Sequence, residues 1–310
     1  MRTTALLSGG LAAMLVAWLP DAAQALDNVT FVSSTGSGTQ CTRAAPCATF
    51  QVAHDQTFPG GEIKCLDSGP YFGASISKSI TIDCDGTTNA FIVNAAGIVV
   101  RIRNLSINGV LTTNSGIDFI NGAALFVENC VIQNHTVVAP FVGIRFRPSA
   151  PGSQLVMTDT VLSSNGSGTT GGGIVVSPQA GGSARVTLNR VTVTKNVFGI
   201  AVDGTGSTGG INMTISDSVS SGNSQDGIIA VTPGGGAPIG VLVKNTKSAN
   251  NAIGIRSIGA NVTVRVTGSA VIGNGTGLSF SGGGALLSFG NNEVQANGAN
   301  GAFSGSVGLQ

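Results

Sequence analysis

Apolar and polar residues alternate along this chain in short runs that stop and then start again. Within residues 184–231 one phrase occurs twice: an alternating apolar strand, an Asn, and a Gly-Ile that opens a second short strand. Asn196 precedes Gly199-Ile200, and Asn223 precedes Gly227-Ile228. A register follows from the residue that closes each alternating strand: Asn104, Asn129, Asp159, Arg190, Asp217, Asn245 and Gly268. The steps run from 23 residues (Asn245 to Gly268) to 31 (Asp159 to Arg190). Two and four positions upstream of every marker the residue is apolar, from Ile102 and Val100 to Val266 and Val264. Burial of one strand face, with its period of two, predicts that arrangement. Six positions downstream of the later markers stand Asn165, Asn196, Asn223, Asn251 and Asn274. Asn tolerates the left-handed backbone of a sharp corner, and stacked amides can bond to one another.

A second marker is the dipeptide at Gly116-Ile117, Gly143-Ile144, Gly173-Ile174, Gly199-Ile200, Gly227-Ile228 and Gly254-Ile255, with Gly277-Leu278 last. Short strands at this period, with no helical segment between them, predict an all-β fold: a single-stranded parallel β-helix, or solenoid, of about ten coils. At ~4.8 Å per layer the rod is roughly 50 Å long. Loops at 148–153, 178–183, 203–210 and 233–238 fall between the Gly-Ile strand and the next alternating strand, and are expected to bulge from one edge. A short amphipathic helix is predicted over 46–57, with Thr49 as N-cap, Phe50 and Ala53 on its packed face and His54 on its solvated face. It would cover the open core of the first coil, and Pro59-Gly60-Gly61 would end it. The expected organisation is one domain over 26–310: a cap at about 41–61, coils at about 62–298 and a tail at 299–310.

Composition changes this picture little. The 47 Gly and 9% charged residues would suit a disordered chain, but the alternation supplies apolar faces to bury. A net charge of +1 gives no basis for a nucleic-acid partner. Residues 1–25 read as a signal peptide: Arg2 is the positive end, 5–19 is apolar and small, and Ala23-Gln24-Ala25 fits the cleavage site. That apolar run is shorter than the ~20 residues of a spanning helix. The mature chain is therefore expected to start at Leu26, to have no membrane span, and to be periplasmic or extracellular. Export permits disulfides. Among the five cysteines, Cys41–Cys47 is the preferred pair, and Cys65 and Cys84 are expected to face each other on adjacent coils. Cys130 reads as a buried filler. Zinc is the alternative use, but no CxxC or paired His supports it.

The PCATFQVA cap followed by PGGEIKCL, the ENCVIQN and DSVSSGN corners and the Gly-Ile strands resemble the right-handed parallel β-helix proteins of the pectin-lyase-like superfamily. The likeness covers roughly residue 27 to the C-terminus and looks nearest to secreted bacterial members of uncharacterised function. It implies the fold well and an activity poorly, because one fold hosts many functions. Polygalacturonase-like enzymes carry paired Asp and a Gly-His-Gly, whereas here Gln225-Asp226-Gly227 has one Asp and there is no Gly-His-Gly. The Asp-Pro-His-Asp of alginate epimerases is missing. Arg145-Phe146-Arg147-Pro148 only partly follows the Arg-x-Pro-x-x-Arg of pectate lyases. With two His in the chain, His54 and His135, histidine-centred chemistry has little material.

Charge on the outward positions of the Gly-Ile strands marks the candidate site: Asp118, Arg145, Arg147, Asp203 and Arg256. Asp118 and Arg145 occupy equivalent places one coil apart and are expected to pair, with Arg147 extending the patch and Asp203 two coils on. Two readings follow. In the first, the chain is an exported, non-catalytic structural or interaction module at the cell envelope or outside the cell, with polysaccharide or an envelope protein as partner and no cofactor. In the alternative it is a polysaccharide lyase or hydrolase. The Asp118/Arg145/Arg147/Asp203 face then grips an acidic polysaccharide, an Arg acts as base, and calcium is held by Asp. The outward Ile120, Val175, Ile229, Val231 and Ile258 make that face apolar, which suits a packing surface. The mature chain also lacks the aromatic platforms on which sugars stack.

Overall fold

A computed structural model describes residues 26–110 and 115–308; the expected signal peptide lies outside the described residues. The chain winds as a right-handed parallel β-helix of about ten coils. All its strand pairs within the ladders are parallel, and they form three sheets of 12, 10 and 9 strands among the described residues. We call these sheets 1, 2 and 3. Each coil places an alternating strand in sheet 1, turns a corner into a three-residue strand of sheet 2, turns again into the Gly-Ile strand of sheet 3, and returns by a loop of variable length. One coil, for example, is Ala184–Asn189, Thr192–Thr194 and Phe198–Asp203.

The apolar positions of the repeat fill the interior. Leu188, Val193, Ile200 and Val202 of that coil are all within 1% of complete burial. The stack continues through Phe119 and Phe146, whose rings lie 4.5 Å apart. The residue that closes each sheet 1 strand has a left-handed backbone at every marker from Asn104 (φ 64°) to Gly268 (φ 56°). Where Asp159 and Arg190 take this conformation they share a forked ion pair, with Arg190 Nε 2.6 Å and Nη2 2.7 Å from the carboxylate.

At the second corner the left-handed residue is the one before the expected Asn. Ser164, Lys195, Gly222, Asn250 and Gly273 have positive φ, which leaves Asn165, Asn196, Asn223, Asn251 and Asn274 free to point inward. There they form a buried ladder. Each side-chain amide donates to the Oδ1 of the next coil, at 2.9 Å from Asn165 to Asn196 and 2.9 Å from Asn223 to Asn251. The same Oδ1 also accepts the backbone N–H of the coil before it. His135 N–H enters the ladder at Asn165, and Asn297 donates at its other end to Asn300, three residues on. The ladder also explains the Gly of the Gly-Ile motif. A Cβ on Gly227 would stand 2.5 Å from Asn251 Nδ2 and 2.8 Å from the Gly254 carbonyl oxygen.

A hydroxyl series that sequence reading missed runs along the first corner, where Thr160, Ser218, Thr246 and Ser269 accept backbone N–H groups of neighbouring coils. Cys130 occupies the same slot. It is buried, and its thiol faces the Glu128 carbonyl oxygen at 3.3 Å, with burial pushing its pKa up to about 11.

The cap is helix α1, Phe50–Gln56, with Thr49 Oγ1 accepting the Val52 N–H. It is shorter than the predicted 46–57 because Cys47 is tied to Val32 by a bridge and to Cys41 by a disulfide. Phe50 plugs the first coil against Tyr71 and Phe91, with ring centroids 5.2 and 5.5 Å away. His54 is not on a solvated face. It is 3% exposed, its Nε2 accepts the Ser77 N–H and its Nδ1 bonds Asp55, because α1 lies down on the sheet 3 edge. Nor does Pro59-Gly60-Gly61 end the helix. The strand Thr57–Cys65 follows α1 directly, and the three residues sit inside it, where its register with the first strand shifts. A second disulfide, Cys65–Cys84, joins neighbouring coils. At the far end, the segment expected as a tail stays on the stack. Ala299 and Asn300 accept the Gly277 and Leu278 N–H groups, and Gly305–Ser306 pairs with sheet 1.

Candidate functional site

The outward positions of sheet 3 carry the charges that sequence reading singled out. Asp118 and Arg145 are register partners on adjacent coils, yet the ion pair is made by Arg147. Its Nε donates to Asp118 Oδ1 at 2.8 Å and its Nη2 to Oδ2 at 2.7 Å. The diagonal neighbour, two residues along, gives the long side chain room. The fork holds the Arg147 pKa above its usual value. Arg145 is left outside every ion pair of the described residues, and burial lowers its pKa, with Arg147 pushing the same way and Asp118 opposing.

The other two candidates are not part of this cluster. Asp203 follows Arg147 by two coils in the same column, with Ser177 between them. Arg147 leans the opposite way, and Asp203 Oδ1 accepts the Thr205 N–H at 2.9 Å to close its own turn. Arg256 is four coils from Arg145 along sheet 3. It forks Asp226, whose side chain is wholly buried; Nε lies 2.6 Å from Oδ1, and Nη2 bonds Oδ2. Burial raises the Asp226 pKa, and Arg256 opposes that rise. A sequence signal for this pair existed. The residue before the motif glycine is otherwise Ser115, Val142, Gly172, Phe198, Ile253 or Thr276, so Asp226 is the one charge at that position.

From Asp118 to Ile258 the outward residues of sheet 3 are half-buried rather than exposed, and Ile229 is buried. Calcium held jointly by Asp118 and Asp203 does not fit this donor set, since Arg147 takes both oxygens of Asp118 and the two carboxylates stand on different columns. Among the described residues no three His, Cys, Asp or Glu side chains gather as metal ligands would, and no helix is long and apolar enough to cross a membrane.

Sheet 1 has a charged face of its own. In its first half every outward cation is matched. Arg101 lies 2.5 Å from Glu128 and stacks on the Phe126 ring, Arg103 reaches Glu62 and Asp83 at 3.3 Å, and Lys64 reaches Glu62 at 3.3 Å. In its second half lies an open depression of about 470 Å³ lined by Arg185, Asn212, Gly240, Leu242, Arg265 and Phe289.

No protein-family model matches the chain, and no curated protein matches it. Among solved structures it is similar to the crystal structure of pectate lyase Pel9A. The TM-score is 0.49 at 14% identity, over 91% of this chain and 78% of that one. That likeness carries nothing about activity.

Proposed function

We propose that this protein is a non-catalytic β-helix module, working at the cell envelope or outside the cell, that offers its flat sheet faces to a polysaccharide or an envelope protein. The Asp118–Arg147 fork supports this reading most directly. A carboxylate whose two oxygens both accept guanidinium N–H groups at 2.7–2.8 Å is poorly placed to act as base, nucleophile or calcium ligand. The two disulfides agree with an oxidising compartment outside the cytosol. One observation favours the alternative, a lyase or hydrolase acting on an acidic polysaccharide. Arg145 belongs to no ion pair and its pKa is lowered, the direction an arginine base needs. The two readings separate on incubation of the protein with polyuronates and neutral polysaccharides, with and without calcium, while unsaturated and reducing ends are followed. Saturable binding without products is the expected outcome. Turnover that disappears in Arg145→Ala would replace the module with an enzyme.

A further inference from the structure

The two ends of the stack are finished differently. At the first coil each outermost strand is answered. Asp27–Val32 is the first strand of sheet 1, and the chain around the Cys41–Cys47 disulfide bonds to it. The Phe31 N–H donates to the Cys41 carbonyl oxygen at 2.7 Å, and the Cys47 N–H donates to that of Phe31 at 2.9 Å. Ala74–Ile76 is the first strand of sheet 3, and α1 covers it. Gln51 Oε1 accepts the Ser75 N–H at 2.9 Å, and His54 Nε2 accepts that of Ser77 at 3.2 Å. Sheet 2 begins with Pro70–Tyr71, so its first residue has no N–H to offer. Such devices keep a sheet edge from pairing with another chain.

The last strand of sheet 2, Glu293–Gln295, has none of them. It is paired on one side only, in regular register with Ala270–Ile272. The Glu293 N–H donates back to the Ser269 carbonyl oxygen at 2.9 Å. Backbone groups alternate in direction along a strand, so the N–H and C=O of Val294 point off the end of the stack. No group among the described residues bonds to them there. The strand contains no Lys, no Pro and no register shift, and residues 294–308 carry no charge. The core is unfinished at the same place. Val193, Ser220, Ser248 and Val271 precede Val294 in the inner column of sheet 2 and are buried, whereas Val294 is half-buried against the core.

An occupant of this edge has to add a strand. A copy arriving by its first coil would meet it with outer strands that are already engaged. A copy arriving by its last coil brings the same free strand. A two-fold axis normal to sheet 2 through Val294 runs the two strands antiparallel and keeps both cores on one side of the joined sheet. Val294 then exchanges two N–H···O=C bonds with its mate, and the two valine side chains complete each other's packing. The same axis sets Glu293 of one copy opposite Gln295 of the other, so that like charges do not meet. We infer that two copies of this protein associate last coil to last coil, by antiparallel pairing of Glu293–Gln295 centred on Val294, into one rod of doubled length. The inference does not depend on what the sheet faces bind. A three-residue strand on the end of a narrow rod offers less than the ~800 Å² per partner of a standard interface, so the pair is expected to dissociate on dilution.

Sedimentation velocity over a concentration series, with small-angle X-ray scattering for particle length, tests this. A monomer–dimer equilibrium is expected, with a dimer ~100 Å long against ~50 Å for one copy. Val294→Pro deletes the outward N–H and leaves the Glu293 bond to sheet 2 in place, a change that edge strands accept. It should weaken the dimer at least tenfold. Gln295→Glu sets carboxylates opposite each other and should weaken it, while Gln295→Lys sets an ammonium opposite each Glu293 and should strengthen it. Both charge effects should shrink with added salt. The Gln295 side chain is exposed, so unchanged unfolding midpoints in these two variants would separate lost pairing from lost folding. A monomer at every concentration refutes the inference. So does a dimer that the three variants leave unchanged, or one whose scattering shows rods side by side. Growth past the dimer into longer species would show that the first coil takes part, and would overturn the closed pair.

Discussion

His54 shows how little residue type says about environment at single-residue scale. By spacing it stands four residues after Phe50, on the same helix face as Phe50 and Ala53, and it is buried there with Nε2 accepting the Ser77 N–H, although a histidine suggested a solvated face. Burial is the largest influence on it and holds its pKa below 6.5, against the opposing bond from Asp55. A base whose folded pKa lies under its unfolded one favours unfolding when protonated. Its contribution is therefore complete above about pH 6.5 and is lost as pH falls through that value toward the lower folded one. His54→Gln keeps an acceptor for Ser77 and does not titrate, so its stability profile should be flatter over this window. Urea midpoints at about pH 7.5 and about pH 5 read the difference. Equal slopes for wild type and variant would show that His54 is not coupled to unfolding. The candidate site teaches a similar lesson. Asp118 and Arg145 were legible as neighbours because register follows from period-2 alternation. The choice of Arg147 as partner was not legible, because side-chain reach decides it.

The unit of this fold at the scale of an element is the corner, and its energetics sit in the ladder. Asn196 is 3% exposed and donates to the Leu162 carbonyl oxygen, the Thr194 carbonyl oxygen and Asn223 Oδ1, while its own Oδ1 accepts two N–H groups from Asn165. Asn196→Ala strands the Asn165 donors away from water, at about 1–3 kcal/mol for each buried group left unpaired. A loss of about 3 kcal/mol is expected, visible as a lower denaturation midpoint; a loss under about 0.5 kcal/mol, in the range of ordinary surface changes, would deny the ladder its role. The ladder was readable in advance from the spacing of the Asn residues. The placement of left-handed φ at the residue before them was not, since Ser164 and Lys195 carry no local mark of it. The end of α1 was also out of reach. A Pro-Gly-Gly run ordinarily breaks a helix, but here it lies in an irregularity of a strand that had already begun.

As a whole molecule the protein behaves as a one-dimensional stack in which each coil touches only its neighbours. Both disulfides lie in the first coils, so the covalent reinforcement is at one end. Cys65–Cys84 closes a 19-residue separation, and removing such a link costs about 3 kcal/mol in the chain-entropy account. In a compact globule that loss would be shared. In a stack it should stay local. Cys65→Ser with Cys84→Ser is expected to speed amide exchange in residues 27–103 while the ladder amides of Asn223 and Asn251 keep their protection. Uniform acceleration along the rod would show instead that the coils unfold as one unit. The overall architecture was the most legible part of the sequence, because a repeat states the same constraint many times over. The functional surface is legible least, because the strand pattern fixes only which residues face outward.

The way the Asn ladder finishes bears on assembly. A stack of coils has no intrinsic length, and an exposed last layer is a template on which another chain could grow into a fibre. Every rung from Asn165 onward points its amide the same way, toward the following coil, and so advertises for one more. At Asn297 that offer is answered from within, by Asn300 of the same coil, at 3.0 Å from the side chain and 3.3 Å from the backbone N–H. Asn300 therefore closes the ladder at this coil, and any further amide would have to displace it before bonding to Asn297.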